Sequence, residues 1–324
     1  MPARPSLLLG SATLAVLAGC TRPPADDGPW SAETPVDVLS SAEFKAGDLV
    51  ESSGVVTSRT HQGVLWSIND AGNRAHLFAT DPQGNARSRW RFNSGANVDW
   101  EDLALGPCPA GTCLYVGDVG DNEERRPDVT VYRFREPDPD VPDAVFVEAD
   151  SLVVRYPDRP RDVEALFVDG DGTVWLVTKG RRDGVLLYRV PADAWRSRAA
   201  TAELVDTLPV RAHLLSGRAV TGAATSPDQR TVVIRTYREL FFFGWSPEGR
   251  LQPSPAPNRC DVRGLEVQGE GVDWWDDSTL VLTSEAGRGS PGMVRLVRCP
   301  ALRVGKAIPG NSPEPVRGQV DTPP

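Results

Sequence analysis

The chain has no Gly-Xaa-Ser-Xaa-Gly elbow and no glycine-rich phosphate cradle, which sets aside serine-esterase and nucleotide-binding readings. It has no long amphipathic helical stretch, which sets aside helical bundles and α/β folds with crossover helices. Histidine is scarce: His61 falls in a turn, His76 near a strand start and His213 in a connector, none beside a visible nucleophile. Positive charge is also short. Lys and Arg number 35 against 44 Asp and Glu, a net −9, so neither nucleic acid nor a polybasic membrane contact is expected. The only sustained apolar run, residues 7–17, is too short for a stable transmembrane helix.

That run lies between Arg4 and the sequence Leu17-Ala18-Gly19-Cys20, the layout of an export signal. Leu-Ala-Gly-Cys resembles the lipobox of bacterial lipoproteins. The resemblance implies cleavage before Cys20, acylation of its thiol and new amino group, and a lipid anchor holding the protein outside the cytoplasm. Loss of residues 1–19 removes Arg4 and takes the net charge to −10. Thr21, where an Asp would favour inner-membrane retention, points to the outer membrane.

With Cys20 assigned to lipid, Cys108, Cys113, Cys260 and Cys299 form an even set suited to an oxidising compartment. Cys-x4-Cys with two distant partners is not a zinc-ribbon spacing. A Cys108–Cys113 bridge would staple a turn and Cys260–Cys299 is the remaining pair, contributing roughly 2 and roughly 4 kcal/mol on the chain-entropy model.

Residues 20–34, rich in Pro and Asp, read as a flexible tether, and residues 306–324 as a disordered tail. Between them, residues 35–305 repeat. First strands are expected at 53–57, 101–105, 164–168, 221–225 and 270–274, each followed by a turn and an apolar strand. Third strands follow at 77–78, 131–134, 187–190, 240–243 and 294–297. Fourth strands are expected at 87–92, 145–156, 203–210 and 261–267; the fifth unit lacks one, and residues 36–39 are left over. Four-stranded units in radial repetition predict an all-β propeller, with the N-terminal strand closing the last blade. Five blades are expected. Six is the alternative, since residues 190–220 and 244–268 have room for further strands. A monomer is expected.

In a meandering blade the loop entering strand one and the loop leaving strand two open on the same face. Asp99, Glu101, Asp162, Glu164 and Glu270 lie at first-strand starts; Asp70, Asn73, Asp118, Asp121, Asn122, Lys179, Arg181, Tyr237, Arg238 and Glu285 lie in the second set of loops. One acidic mouth is therefore expected, opposite a face of generic hairpin turns. Two carboxylates 4 Å apart repel by about 4 kcal/mol at an effective dielectric near 20. Three remedies are open: a hard cation such as Ca2+ on Glu101, Glu164 and Glu270; neutralisation by Lys179, Arg181 and Arg238; or backbone N–H bonds that lock the ring.

The repeat with axial acids resembles the calcium-dependent propeller hydrolases of the gluconolactonase/senescence-marker and phytase-like groups. Residues 100–104 (Trp-Glu-Asp-Leu-Ala) with 117–122 (Gly-Asp-Val-Gly-Asp-Asn) also resemble a group of bacterial propeller proteins without known activity. The hydrolase likeness implies Ca2+ on Glu101, Glu164 and Glu270; no catalytic His dyad matches. Asp169-Gly-Asp-Gly172 reads as a hairpin turn, lacking the later Glu of a calcium loop. Trp274-Trp275 reads as blade packing. Two functions remain: a binding or scaffold module capturing a protein, peptide or glycan at the acidic mouth, or a Ca2+-dependent hydrolase of a lactone or phosphoester with Glu285 moving the proton.

Overall fold

Alternating apolar and polar residues, broken by Gly, Pro and Asp turns, build five antiparallel sheets arranged in a ring, a five-bladed β-propeller. The computed structural model describes residues 28–93, 96–141, 146–212, 217–287, 289–300 and 302. Cys20, the leader, the whole of the proposed tail at 306–324 and His213 lie outside the described residues.

Blade 1 comprises Ser52–Thr57, Leu65–Asn69, His76–Thr80 and Ala86–Phe92. Blade 2 comprises Trp100–Cys108, Gly111–Asp118, Val129–Arg135 and Asp150–Arg155. Blade 3 comprises Val163–Val168, Val174–Thr178, Val185–Val190 and Glu203–Leu208. In blade 4, Val220–Thr225, Thr231–Thr236 and Glu239–Trp245 are followed by two short outer pieces, Leu251–Pro253 and Arg259–Asp261. Blade 5 holds Gly269–Trp274, Leu280–Ser284 and Met293–Arg298, and its fourth strand is the N-terminal Asp37–Glu43. Closure therefore runs as the leftover strand at 36–39 predicts.

The core is divided into apolar clusters between neighbouring blades. Trp66, Trp100 and Phe92 fill the seam of blades 1 and 2; Tyr115, Leu166 and Tyr188 that of blades 2 and 3. Phe167, Phe243 and Trp175 fill the next, and Phe242, Trp274 and Leu282 the seam of blades 4 and 5. The closing seam is the smallest, with Val55, Leu65, Val281 and Val294. Trp274 also donates to the Ala224 carbonyl, consistent with packing. Both disulfides form, Cys108–Cys113 at a hairpin tip and Cys260–Cys299 between blades 4 and 5. At 169–172 a hairpin turn stands as expected, its Asp169 N–H bonded to the Thr173 carbonyl.

Three expectations need correcting. The fourth strand of blade 4 lies at Arg259–Asp261, ahead of 261–267, because the Glu239–Trp245 strand it pairs with ends in the Leu251 hairpin first. Chain between blades adds parallel edge pieces, with Phe146–Val147 on blade 1, Ala199–Thr201 on blade 2 and Thr34–Pro35 on blade 4. The tether assigned to 20–34 is docked from residue 28 onward. Trp30 is buried between Phe241 and Phe243 and donates to the Pro209 carbonyl, a large apolar contact that a loop-like composition conceals.

Candidate functional site at the channel mouth

Each innermost strand skips a residue at the same place. Pairing with the second strand slips between Ser52 and Gly54, Trp100 and Asp102, Val163 and Ala165, Val220 and Gly222, and Gly269 and Val272. These are β-bulges, which free one side chain from the pleat and re-aim it. The freed residues are Ser53, Glu101, Glu164, Thr221 and Glu270. Two further rings follow from the repeat. Two residues earlier stand Glu51, Asp99, Asp162, Ala219 and Gln268; just after the second strands stand Asp70, Val119, Lys179, Tyr237 and Glu285. The acids collect on blades 1, 2, 3 and 5, and blade 4 contributes none to these rings.

Glu101 is the centre of this arrangement. It is only 7 % exposed, yet its carboxylate has no hydrogen bond or ion pair among the described residues. Oxygens of Asp70, Asp99 and Glu101 all lie within 4.8 Å of one another, and so do those of Glu101, Asp162 and Glu164. Gly120 makes room for this approach: a Cβ there would stand 2.2 Å from Glu101 Oε1 and 2.6 Å from Asp99 Oδ2.

Burial, reinforced by Glu164, Asp70 and Asp99, raises the Glu101 carboxyl well above the ordinary range. Burial with Asp70 and Asp162 pushes Asp99 up to about 6, and burial with Asp70 and Glu51 pushes Glu285 up to about 7. Asp70 moves upward mainly through burial, against the N–H of Ala71. Glu270 rises through burial and its neighbours Glu164 and Glu285, and accepts the Tyr237 hydroxyl at 3.0 Å.

Other acids are compensated. Lys179 Nζ sits 2.5 Å from Glu164, and Arg181 Nε 2.5 Å from Asp162, which also accepts the Asp121 N–H. Asp118 is closed off by Arg126 at 2.8 Å and by the Asp99 N–H. Asp121 accepts the Arg126 N–H, Asn122 accepts from Arg181, and Asn73 donates to Glu51 at 2.5 Å. Arg238 acts on Asp261 at the outer strand. Asp118, Asp121, Asn122, Asn73 and Arg238, expected to face a ligand, are thus engaged with their own loops and blades. Of the expected metal triad Glu101, Glu164 and Glu270, the last falls outside both close groups and the second carries a lysine.

Glu51, Asp99 and Asp162 complete the mouth and were not singled out as ligands by sequence. Their common signal is their place two residues ahead of the bulge. Asp102 was overlooked as well. Fully buried, it accepts N–H groups of Leu103, Leu166 and Ala223 at 2.9–3.1 Å and ties blades 2, 3 and 4 across the axis.

The opposite end of the channel is more than hairpin turns. A cavity of about 470 Å3 opens there, walled by Val56, Leu103, Phe167 and Ala223, with Arg59 3.8 Å from the buried Asp273. The mouth, by contrast, is ringed by carboxylates.

No protein-family model matches the chain, and no curated protein matches its sequence. Among solved structures, the chain is similar to the PQQ-bound aldose sugar dehydrogenase of Streptomyces coelicolor (11 % identity, 83 % of this chain and 99 % of that one, TM-score 0.48). It is also similar to the Malassezia sympodialis allergen Mala s 1 (11 %, 80 % and 96 %, TM-score 0.49). A third is the periplasmic gluconolactonase of Pseudomonas aeruginosa (15 %, 76 % and 72 %, TM-score 0.36). At such identities and scores the likenesses do not reach the site or its chemistry.

Proposed function

We propose that this protein is a lipid-anchored, extracytoplasmic binding propeller whose mouth captures a positively charged guest. Glu101 carries the proposal: a carboxylate that is nine-tenths buried, unpartnered among the described residues and within reach of Asp70 and Asp99. An ionised carboxylate buried without a partner costs several kcal/mol, which a cation in the well would offset. The donor set is all oxygen, suited to a hard ion such as Ca2+ or to an ammonium or guanidinium group. The two disulfides support an oxidising compartment, in keeping with the Leu17–Cys20 signal and an anchor at Cys20.

The test uses protein starting at residue 20 with Cys20→Ser, melted in EDTA and then with Ca2+ or Mg2+. A guest at 100 times its dissociation constant stabilises by about 2.7 kcal/mol if it binds only the folded state. The rise should vanish in Glu101→Gln. A flat response to both ions and to lysine-containing peptides would overturn the reading.

A second reading, a Ca2+-dependent hydrolase of a lactone or phosphoester, draws on Glu285, buried beside Asp70 and pushed up to about 7, where a carboxyl can both give and take a proton. The ion would supply Lewis acidity at Asp70, Asp99 and Glu101. Turnover of a γ-lactone or of p-nitrophenyl phosphate that is lost in Glu285→Gln, with Ca2+ binding intact, would establish it; no turnover by Ca2+-loaded protein would remove it.

A further inference from the structure

Three residues ahead of each bulge the repeat places an outer ring around the same mouth: Val50, Val98, Arg161, Arg218 and Val267. Blades 5, 1 and 2 are consecutive in the ring, and their valines are 50 %, 40 % and 57 % exposed. In blades 3 and 4 the arginines are drawn into ion pairs, Arg161 with Asp158 and Asp183, Arg218 with Glu239. A single exposed valine means nothing. Three at one repeat position in consecutive blades, each three residues ahead of a bulge at the mouth, give that flank of the mouth an apolar arc.

We propose that the guest is a polypeptide segment that places a lysine or arginine side chain in the well beside Glu101 and lays apolar neighbours on the arc of Val50, Val98 and Val267. This rests on the cation-binding reading above and names its partner. Charge complementarity fixes the basic residue, since Glu101 has no partner among the described residues and Asp70 and Asp99 stand within 4.8 Å of it. The arc fixes the flanks. A bare ion would fill the well and leave the valines in water. An extended chain advances about 3.3 Å per residue and can touch well and arc together.

The experiment measures binding of three fluorescent peptides to the Cys20→Ser protein: acetyl-Val-Leu-Lys-Leu-Val-amide, the same peptide with serines for its apolar residues, and the same with norleucine for lysine. The first should bind at least about tenfold more tightly than either of the others, the equivalent of burying one or two apolar side chains. Val98→Ser with Val267→Ser, two exposed sites that leave folding intact, should lose about tenfold for the first peptide and keep the Ca2+ response. Glu101→Gln should lose both. Equal binding of the apolar and serine peptides, unchanged binding by the valine variant, or a Ca2+ response without peptide binding would overturn the inference and leave the cation site standing. Absence of every response would overturn both.

Discussion

Asp102 and Glu101 are neighbours on one strand, both buried, and the fold treats them in opposite ways. Asp102 points across the channel's waist and accepts three backbone N–H groups from blades 2, 3 and 4. Glu101 is turned by its bulge toward the mouth and accepts none among the described residues. The contrast extends to the two ends of the channel. Below the waist, Asp273 is held by the Thr57 N–H at 2.6 Å and faces Arg59; above it, Asp70, Asp99, Glu101 and Glu285 crowd together around one lysine. A buried carboxylate with donors is a structural tie. The same group without donors stands among other carboxylates and, on the reading proposed above, attracts positive charge.

The sharpest way to break that comparison is to remove the tie. Asp102→Ala should destabilise the protein by about 3–5 kcal/mol, because it orphans the buried N–H groups of Leu166 and Ala223. Urea unfolding would read this, and a loss below about 1 kcal/mol would show the waist is not held by Asp102. Glu101→Gln should do the reverse. It should raise the melting temperature of ligand-free protein at pH 8, while forfeiting the roughly 2.7 kcal/mol that saturating guest provides.

The pH dependence follows from the same raised carboxyls. Asp99 and Glu285 titrate in the folded chain near 6 and 7, above their values in the unfolded chain, so the folded state holds more protons in between. Ligand-free stability should therefore be fullest below about pH 4 for these groups and fall as pH rises through about 6 to 7. Cation affinity should climb over that interval. A melting temperature that rises from pH 5 to pH 8 without ligand would contradict the crowding at the mouth. The smallest effect is expected below the waist. Asp273→Asn keeps an acceptor for Thr57 and loses only a long contact to the partly exposed Arg59, which should cost about 1 kcal/mol or less by thermal melting.

Much of the architecture was legible because it is written locally. A first strand, a turn and an apolar second strand recur at each unit, and period-two alternation needs no distant partner to be read. The leftover segment at 36–39 announced ring closure for the same reason. Outer strands were less legible: Arg259–Asp261 is three residues long, and the chain around it carries no alternation. Trp30 was read as tether because only its neighbours in space, Phe241 and Phe243, make it core.

At the site, sequence placed Glu101, Glu164, Glu270, Asp70 and Glu285 on one face, and the structure brings them there. It could not sort them. Asp118 and Glu101 look alike in sequence, but Arg126 folds back onto the first and no donor among the described residues bonds the second. Asp162 and Glu164 find Arg181 and Lys179 on the adjoining strand and its loop, while Asp99 and Asp70 make no ion pair among the described residues and stand against each other and Glu101.

By itself, then, the sequence determined the all-β repeat and the face on which acids gather, both of which depend on spacing along one chain. Which acids remain unpaired, where the bulges aim them and how far their protons are held was decided only when five blades closed around a channel. Desolvation and charge proximity act through space, and no local pattern carries them.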